Sequence, residues 1–174
     1  MVKRFALLVF CALLLMIFVF GCGETTQPEK VPAENKAESG VENSKAPEVY
    51  AVGDSVKMGG LVFTVNGTRT ATGSEFIKPD EGDIYFIADC TLENTAAEVA
   101  HISSLLMFKL VDADGYNYDI TIGPETKGSL DGELAPGRKM RGELAFEVPA
   151  QVNSLELIFE PNVFGSGQAI YKVK

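Results

Sequence analysis

Cysteine and histidine are scarce in this chain and tryptophan is absent: 174 residues hold three Cys, one His and no Trp. Cys11 lies in an apolar leader and Cys22 at its end, so Cys90 stands alone in the remainder and has no disulfide partner there. Stability must then come from an apolar core, which about 125 residues can supply. There is no phosphate-cradling glycine loop, no HExxH and no CxxC. The lone His101 has Ser103 and Ser104 close by but no nucleophile elbow and no orienting acid. These absences argue against an enzyme. Positive charge is also short, with 15 basic against 24 acidic side chains. An acidic chain is repelled by phosphate backbones and anionic headgroups, so nucleic acid is excluded as a partner.

What is present begins with Lys3 and Arg4, followed by an unbroken apolar run from Phe5 to Phe20. At 16 residues that run suits the h-region of an export signal and is short for a membrane span, which needs roughly 20. Val19-Phe20-Gly21-Cys22 closes it, and no basic stop-transfer cluster follows. The stretch resembles the lipobox of bacterial lipoproteins, although Phe20 is bulkier than the residue usual at its position. The resemblance implies cleavage after residue 21, a diacylglyceryl group on Cys22, and a place on the extracytoplasmic face of the cell membrane. Two long acyl chains hold a soluble domain where one short chain would not. Without Lys3 and Arg4 the remainder carries 13 basic against 24 acidic side chains, a net of −11.

Residues 22–47 read as a tether. Gly23–Pro47 has three prolines, no aromatics and only isolated valines, so it cannot bury enough surface to fold by itself. As a coil it would set the domain roughly 25–30 Å from its anchor.

From Glu48 to Lys174 the pattern turns to period two. Leu61, Phe63 and Val65 alternate with Val62 and Thr64, and Phe86, Ala88, Cys90 and Leu92 with Ile87, Asp89 and Thr91. Leu106, Phe108 and Leu110 form a third set, Leu144, Phe146 and Val148 a fourth, and Leu155, Leu157 and Phe159 a fifth. A last strand is expected over Gln168–Val173. Each set predicts a strand with one apolar face. No stretch keeps a helical period. Met58-Gly59-Gly60, Asp112-Ala113-Asp114-Gly115 and Ala135-Pro136-Gly137 supply tight turns between them, and Pro149 ends a strand. Seven or eight short strands without helices predict an all-β, antiparallel β-sandwich.

Further likenesses lie in Val52-Gly53-Asp54, Glu93-Asn94, Phe108 to Gly115, Leu134-Ala135-Pro136-Gly137, Gly142 and Phe146-Glu147-Val148-Pro149. In their order and spacing they resemble the telokin-like, immunoglobulin-like family of secreted and lipid-anchored bacterial proteins of unknown function. The resemblance covers about residues 48–174 and implies an Ig-like sandwich outside the membrane. It supplies no catalytic residues. The disulfide and tryptophan pin of antibody domains are both missing here.

Several residues could carry chemistry. Asp112, Asp114, Asn117 and Asp119 put oxygen ligands at near-alternating positions and could hold Ca²⁺, the one cofactor considered. They lack the third-ligand spacing, glycine placement and terminal bidentate Glu of an EF-hand loop, and Asp-Gly is an ordinary hairpin turn. Cys90 shares a face with Phe86, Ala88 and Leu92 and is expected to be buried and inert. A soft-metal site of Cys90, His101 and Met107 needs all three to converge. Arg138, Lys139 and Arg141 open a strand and suit an edge that discourages pairing. Phe76 and Ile77, in the Thr72–Gly82 loop, and Tyr116 and Tyr118, beside the acidic turn, are the candidate binding residues; plugging the ends of the sandwich is their other reading. The stretch Ile122–Pro136 is long for a loop, which marks it as functional or disordered. The sequence therefore predicts a lipid-anchored, non-catalytic module that engages an envelope protein or a cell-wall component. An accessory protein that self-associates through strand edges and a calcium-stabilised module are the alternatives.

Overall fold

Period-two patterning fixes which face of each strand is apolar, and two such faces can be hidden only against one another. The structure, a computed structural model, describes residues 29–31, 48–122, 124–162 and 167–174. Cys22, the leader and most of the tether lie outside the described residues. The chain forms β1 (Glu29–Val31), β2 (Val49–Ala51), β3 (Ser55–Met58), β4 (Leu61–Ala71), β5 (Asp83–Asn94) and β6 (Ala100–Ile102). A helical turn, α1 (Ser104–Met107), precedes β7 (Phe108–Asp112), β8 (Asn117–Tyr118), β9 (Gly132–Leu134), β10 (Lys139–Pro149), β11 (Leu155–Phe159) and β12 (Ala169–Lys172).

One five-stranded sheet runs β1-β3-β4-β5-β10 and the other β2-β12-β11-β7-β8, while β6 and β9 pair as a small ribbon. Their inner faces make the core. Phe63 sits at its centre, with ring centroids 5.2 Å from Phe108, 4.7 Å from Phe159 and 5.2 Å from Tyr171. Val65, Ala88, Cys90, Leu92, Leu110, Phe146, Val148, Leu155 and Leu157 complete it, all fully buried. The turn after β3 is set by Gly59 and Gly60, whose φ values of 57° and 80° suit a two-residue hairpin that other residues would strain. Ala135 accepts from the Arg138 amide at 3.1 Å, closing the turn expected at Pro136 and Gly137.

The β-sandwich is as expected, but five details differ. The described residues form twelve strands rather than seven or eight, because pairings of two to four residues leave no alternation to read. The β2–β12 pair is parallel, with Tyr50 opposite Tyr171, within an otherwise antiparallel set. Glu29–Val31 lies inside the stretch expected to be a bare tether, yet pairs with Ser55–Lys57 and joins Lys30 to Asp54 at 2.8 Å. The strand expected from Leu106 starts at Phe108. The Ser104 amide and hydroxyl bond the Asp131 carboxylate at 2.8 and 2.9 Å, and this local bonding favours a helical turn over the ladder. Leu105 and Leu106 are therefore exposed and Met107 is buried.

Fifth, the described part of Ile122–Pro136 is a packed edge. Isolated bridges join Ile120 to Phe146 and Gly128 to Gly142, so this stretch lies along β10. Leu130 and Leu134 plug the core at 1% and 3% exposure. Arg138, Lys139 and Arg141 consequently do not guard a free edge. Lys139 pairs with Glu93 at 3.0 Å and the Arg141 Nε donates to Asp89 at 2.9 Å, both across to β5.

Candidate functional site

Three chain reversals meet at the end of the sandwich where β4 finishes, β5 begins and β10 gives way to β11. The first is the acidic turn between β7 and β8. Asp112 Oδ1 accepts from the amides of Asp114 and Tyr116, each at 2.9 Å, and Oδ2 accepts from the Tyr118 hydroxyl at 2.8 Å. One carboxylate thus shapes the whole turn. Burial pushes the Asp112 carboxyl up, but the bonds from Tyr116, Tyr118 and Asp114 outweigh it and hold it below its ordinary value. Tyr118 is pushed up to about 12, first by burial, then by its bond to Asp112 and the charges of Asp112, Asp83 and Asp114.

The second reversal, Pro149–Ser154, follows from the proline that ends β10. The Val152 amide returns to the Pro149 carbonyl at 3.0 Å, and Val152 packs on the core. Between these two reversals lies a groove of about 700 Å³, lined by Asp112, Asp114, Tyr116 and Tyr118 on one side and by Pro149 and Val152 on the other. Asn117, Gln151, Asn153 and Ser154 add side-chain amides and a hydroxyl to its walls.

The third reversal is the β4–β5 loop. It is tied to the second by the Ala150 amide on the Gly82 carbonyl at 3.0 Å, and to β10 by the Asp80 amide on Glu147 at 2.6 Å. Within it the Ser74 amide bonds the Ile77 carbonyl at 2.7 Å, which fixes the tip. Phe76 stands on that tip at 91% exposure, and Ile77 beside it is exposed as well.

The structure therefore brings the candidate binding residues to one end of the molecule. Phe76, Ile77 and Tyr116 project into solvent, and Tyr118 is half-buried with its ring against the core. The other candidates do not assemble. Among the described residues no group of three or more His, Cys, Asp or Glu side chains could hold a metal ion. Asp112, Asp114 and Asp119 form no such group, and both oxygens of Asp112 accept hydrogen bonds within the turn that also holds Asn117. Cys90 is fully buried while His101 faces solvent beside Glu133 on the β6–β9 ribbon, so the soft-metal set with Met107 does not converge. Ser103 precedes α1 without capping it through its side chain, and the Ser104 hydroxyl is held by Asp131.

Sequence reading missed the Pro149–Ser154 wall. It contains no aromatic or charged residue, and only the proline signalled a reversal. It also missed Asp131, and it gave Asn94 only as part of a strand-end motif without its role in fastening loops.

Such an end, with a groove and exposed aromatic side chains borne on loops of a rigid two-sheet frame, defines a β-sandwich domain with a loop-built surface. Residues 50–170 match the model of DUF4352, a domain of unknown function, and the chain belongs to that family. It is 30% identical over 118 residues to the uncharacterized protein YxkC of Bacillus subtilis, a match covering 60% of this chain and 66% of that one. The chain thus spans just under two thirds of that relative. Among solved structures it resembles the yjhA protein of Bacillus subtilis, with a TM-score of 0.62 and 20% identity over 72% of this chain and all of that one. It also resembles the candidate lipoprotein ycdA of the same species, with a TM-score of 0.56 and 16% identity over 66% of this chain and 36% of that one. At these identities the two structures speak for the fold alone. Among the described residues no helix is long and apolar enough to cross a membrane.

Proposed function

We propose that this chain is a lipid-anchored envelope lipoprotein, held by Cys22, whose Ig-like, telokin-like sandwich is a non-catalytic binding module. Its partner is an envelope protein or a cell-wall component, and its binding surface is the groove end. The observation that carries this reading is a groove of about 700 Å³ lined by the exposed Tyr116, at the same end of the frame as the exposed Phe76 and Ile77. Folds of this kind place recognition on loops held by a scaffold, and aromatic anchors supply contact area at low entropic cost. The lipobox-like Val19-Phe20-Gly21-Cys22 supports the anchor.

Self-association through strand edges has less behind it, because the outer edge of β10 is bridged at Phe146 and Gly142 by its own chain. Calcium has less still, and its addition is expected to leave the melting temperature unchanged. The test is fractionation together with capture. Cys22→Ala should release the protein from the membrane fraction or leave the leader uncut. Capture of envelope material by the wild-type chain should be lost with Phe76→Ser plus Tyr116→Ser. Retention of capture by that double variant would remove the groove end from the reading.

A further inference from the structure

The walls of the groove carry two carboxylates, Asp112 and Asp114, and no lysine, arginine or histidine. Asp112 spends its oxygens on the turn but keeps its charge. Asp114 makes no ion pair among the described residues, whereas Asp54, Asp89, Glu93, Glu143 and Glu160 each have a cationic partner. Tyr116, which lines the same groove two residues on, is 69% exposed. A carboxylate without a counter-ion beside an open aromatic face is complementary to an ammonium or guanidinium group, which gains Coulombic attraction from one and a cation–π contact from the other. Asn117, Gln151 and Asn153 provide both donors and acceptors, the pairing a peptide backbone needs. Phe76 and Ile77 offer apolar contact at the same end for side chains that run past the groove.

We infer that the groove between Asp112–Tyr118 and Pro149–Ser154 binds a cationic peptide segment, its charged side chain held by the Asp114 carboxylate and the Tyr116 ring. This rests on the groove being the binding surface and adds the chemistry of its occupant. The net charge of −11 on the chain without its leader draws such a segment from a distance, and the groove supplies the specific contact.

The experiment uses the full chain in non-ionic detergent micelles and follows the anisotropy of dye-labelled ligands. The ligands are a short peptide alternating lysine and glycine, its glutamate counterpart, and a neutral chitin oligosaccharide. The lysine peptide should bind at about 0.05 M salt and weaken at about 0.3 M, while the other two do not bind. Asp114→Asn and Tyr116→Ala should each weaken it about five-fold with unchanged thermal melts. Glu98→Gln, at the opposite end of the sandwich, should leave binding as it was. Equal weakening by Glu98→Gln would mean diffuse attraction and overturn the inference, as would no binding of the lysine peptide. If the oligosaccharide binds instead and Tyr116→Ala abolishes it, the cationic occupant falls while the groove stands as a binding surface. If no ligand responds to Tyr116→Ala or Phe76→Ala, both fall.

Discussion

The side-chain amide of Asn94 donates to the carbonyl of Leu134 at 2.8 Å, joining the end of β5 to the end of β9 across 40 residues of chain. Asn94 is fully buried and also donates to the Glu98 carbonyl at 2.7 Å while accepting from the Ala96 amide at 3.0 Å. Its own backbone bonds Arg138 and Gly137, so one residue fastens two loops. Asn94→Ala would leave the buried Leu134 carbonyl without this donor and remove a partner from the part-buried Glu98 carbonyl and Ala96 amide, at about 1–3 kcal/mol for each group that water cannot reach. A fall in the urea midpoint equivalent to about 2–4 kcal/mol is expected. A fall within error of wild type would mean that the loops hold without it.

Gly142 marks where the chain covers the edge of β10. A Cβ there would meet the backbone of Ser129 at 2.7 Å from its carbonyl carbon and 2.9 Å from its Cα, so one segment must move. Gly142→Ala should cost about 1–3 kcal/mol in urea unfolding. It should also lift the 128–130 stretch and expose a strand edge, seen as association at rising concentration in sedimentation velocity.

Alternation of period two made the long strands legible, because β4 alternates as far as Val65 and β5, β10 and β11 keep an alternating inner face, although Tyr85, Ile87, Ala145 and Ile158 are buried on the other face as well. Short pairings were not legible. A two-residue strand such as Asn117–Tyr118 exists only because β7 lies beside it, and Glu29–Val31 only because β3 does. Leu106 misled because Asp131, 27 residues beyond Ser104, ties the chain into a helical turn there. The site was half legible. Exposed aromatic side chains on loops pointed to Phe76 and Tyr116, but the wall from Pro149 to Ser154 is made a wall only by its neighbours.

Acid should unfold the domain in a defined window. The hydrogen bond from Arg141 holds Asp89 below its ordinary 3.8, and that from Arg69 holds Glu143 below 4.5. Both carboxyls bind protons more weakly folded than unfolded. Their contribution is therefore full above the ordinary values and is lost as pH falls through the lowered ones. Urea midpoints should be level between about pH 7 and pH 5 and drop below about pH 4. Arg69→Met should shrink the drop, because Glu143 then titrates more nearly alike folded and unfolded, and should lower neutral stability by about 1 kcal/mol, Arg69 being half-exposed although Glu143 is largely covered.

Cys90 should be silent. Burial pushes its thiol well up, with the Asp89 charge adding to the effect, and no exposed surface admits a reagent. Site-resolved mass spectrometry after alkylation at about pH 8 should find it unmodified in the folded protein and modified in urea. Labelling of the folded protein at the rate of a free thiol would contradict the packing described for β5.

The three residues of β1 decide which way the molecule looks. Glu29 lies opposite Lys57 and Val31 opposite Ser55, so the incoming chain arrives from the side of the Gly59-Gly60 hairpin. The groove lies at the other extremity of β4, about 30 Å away at the rise of a strand. With a lipid on Cys22, as proposed, the covalent reach to Glu29 would be at most about 25 Å. Under the proposed anchoring, the clasp would moor the domain near the bilayer by its blunt end and leave the aromatic crown on the far side.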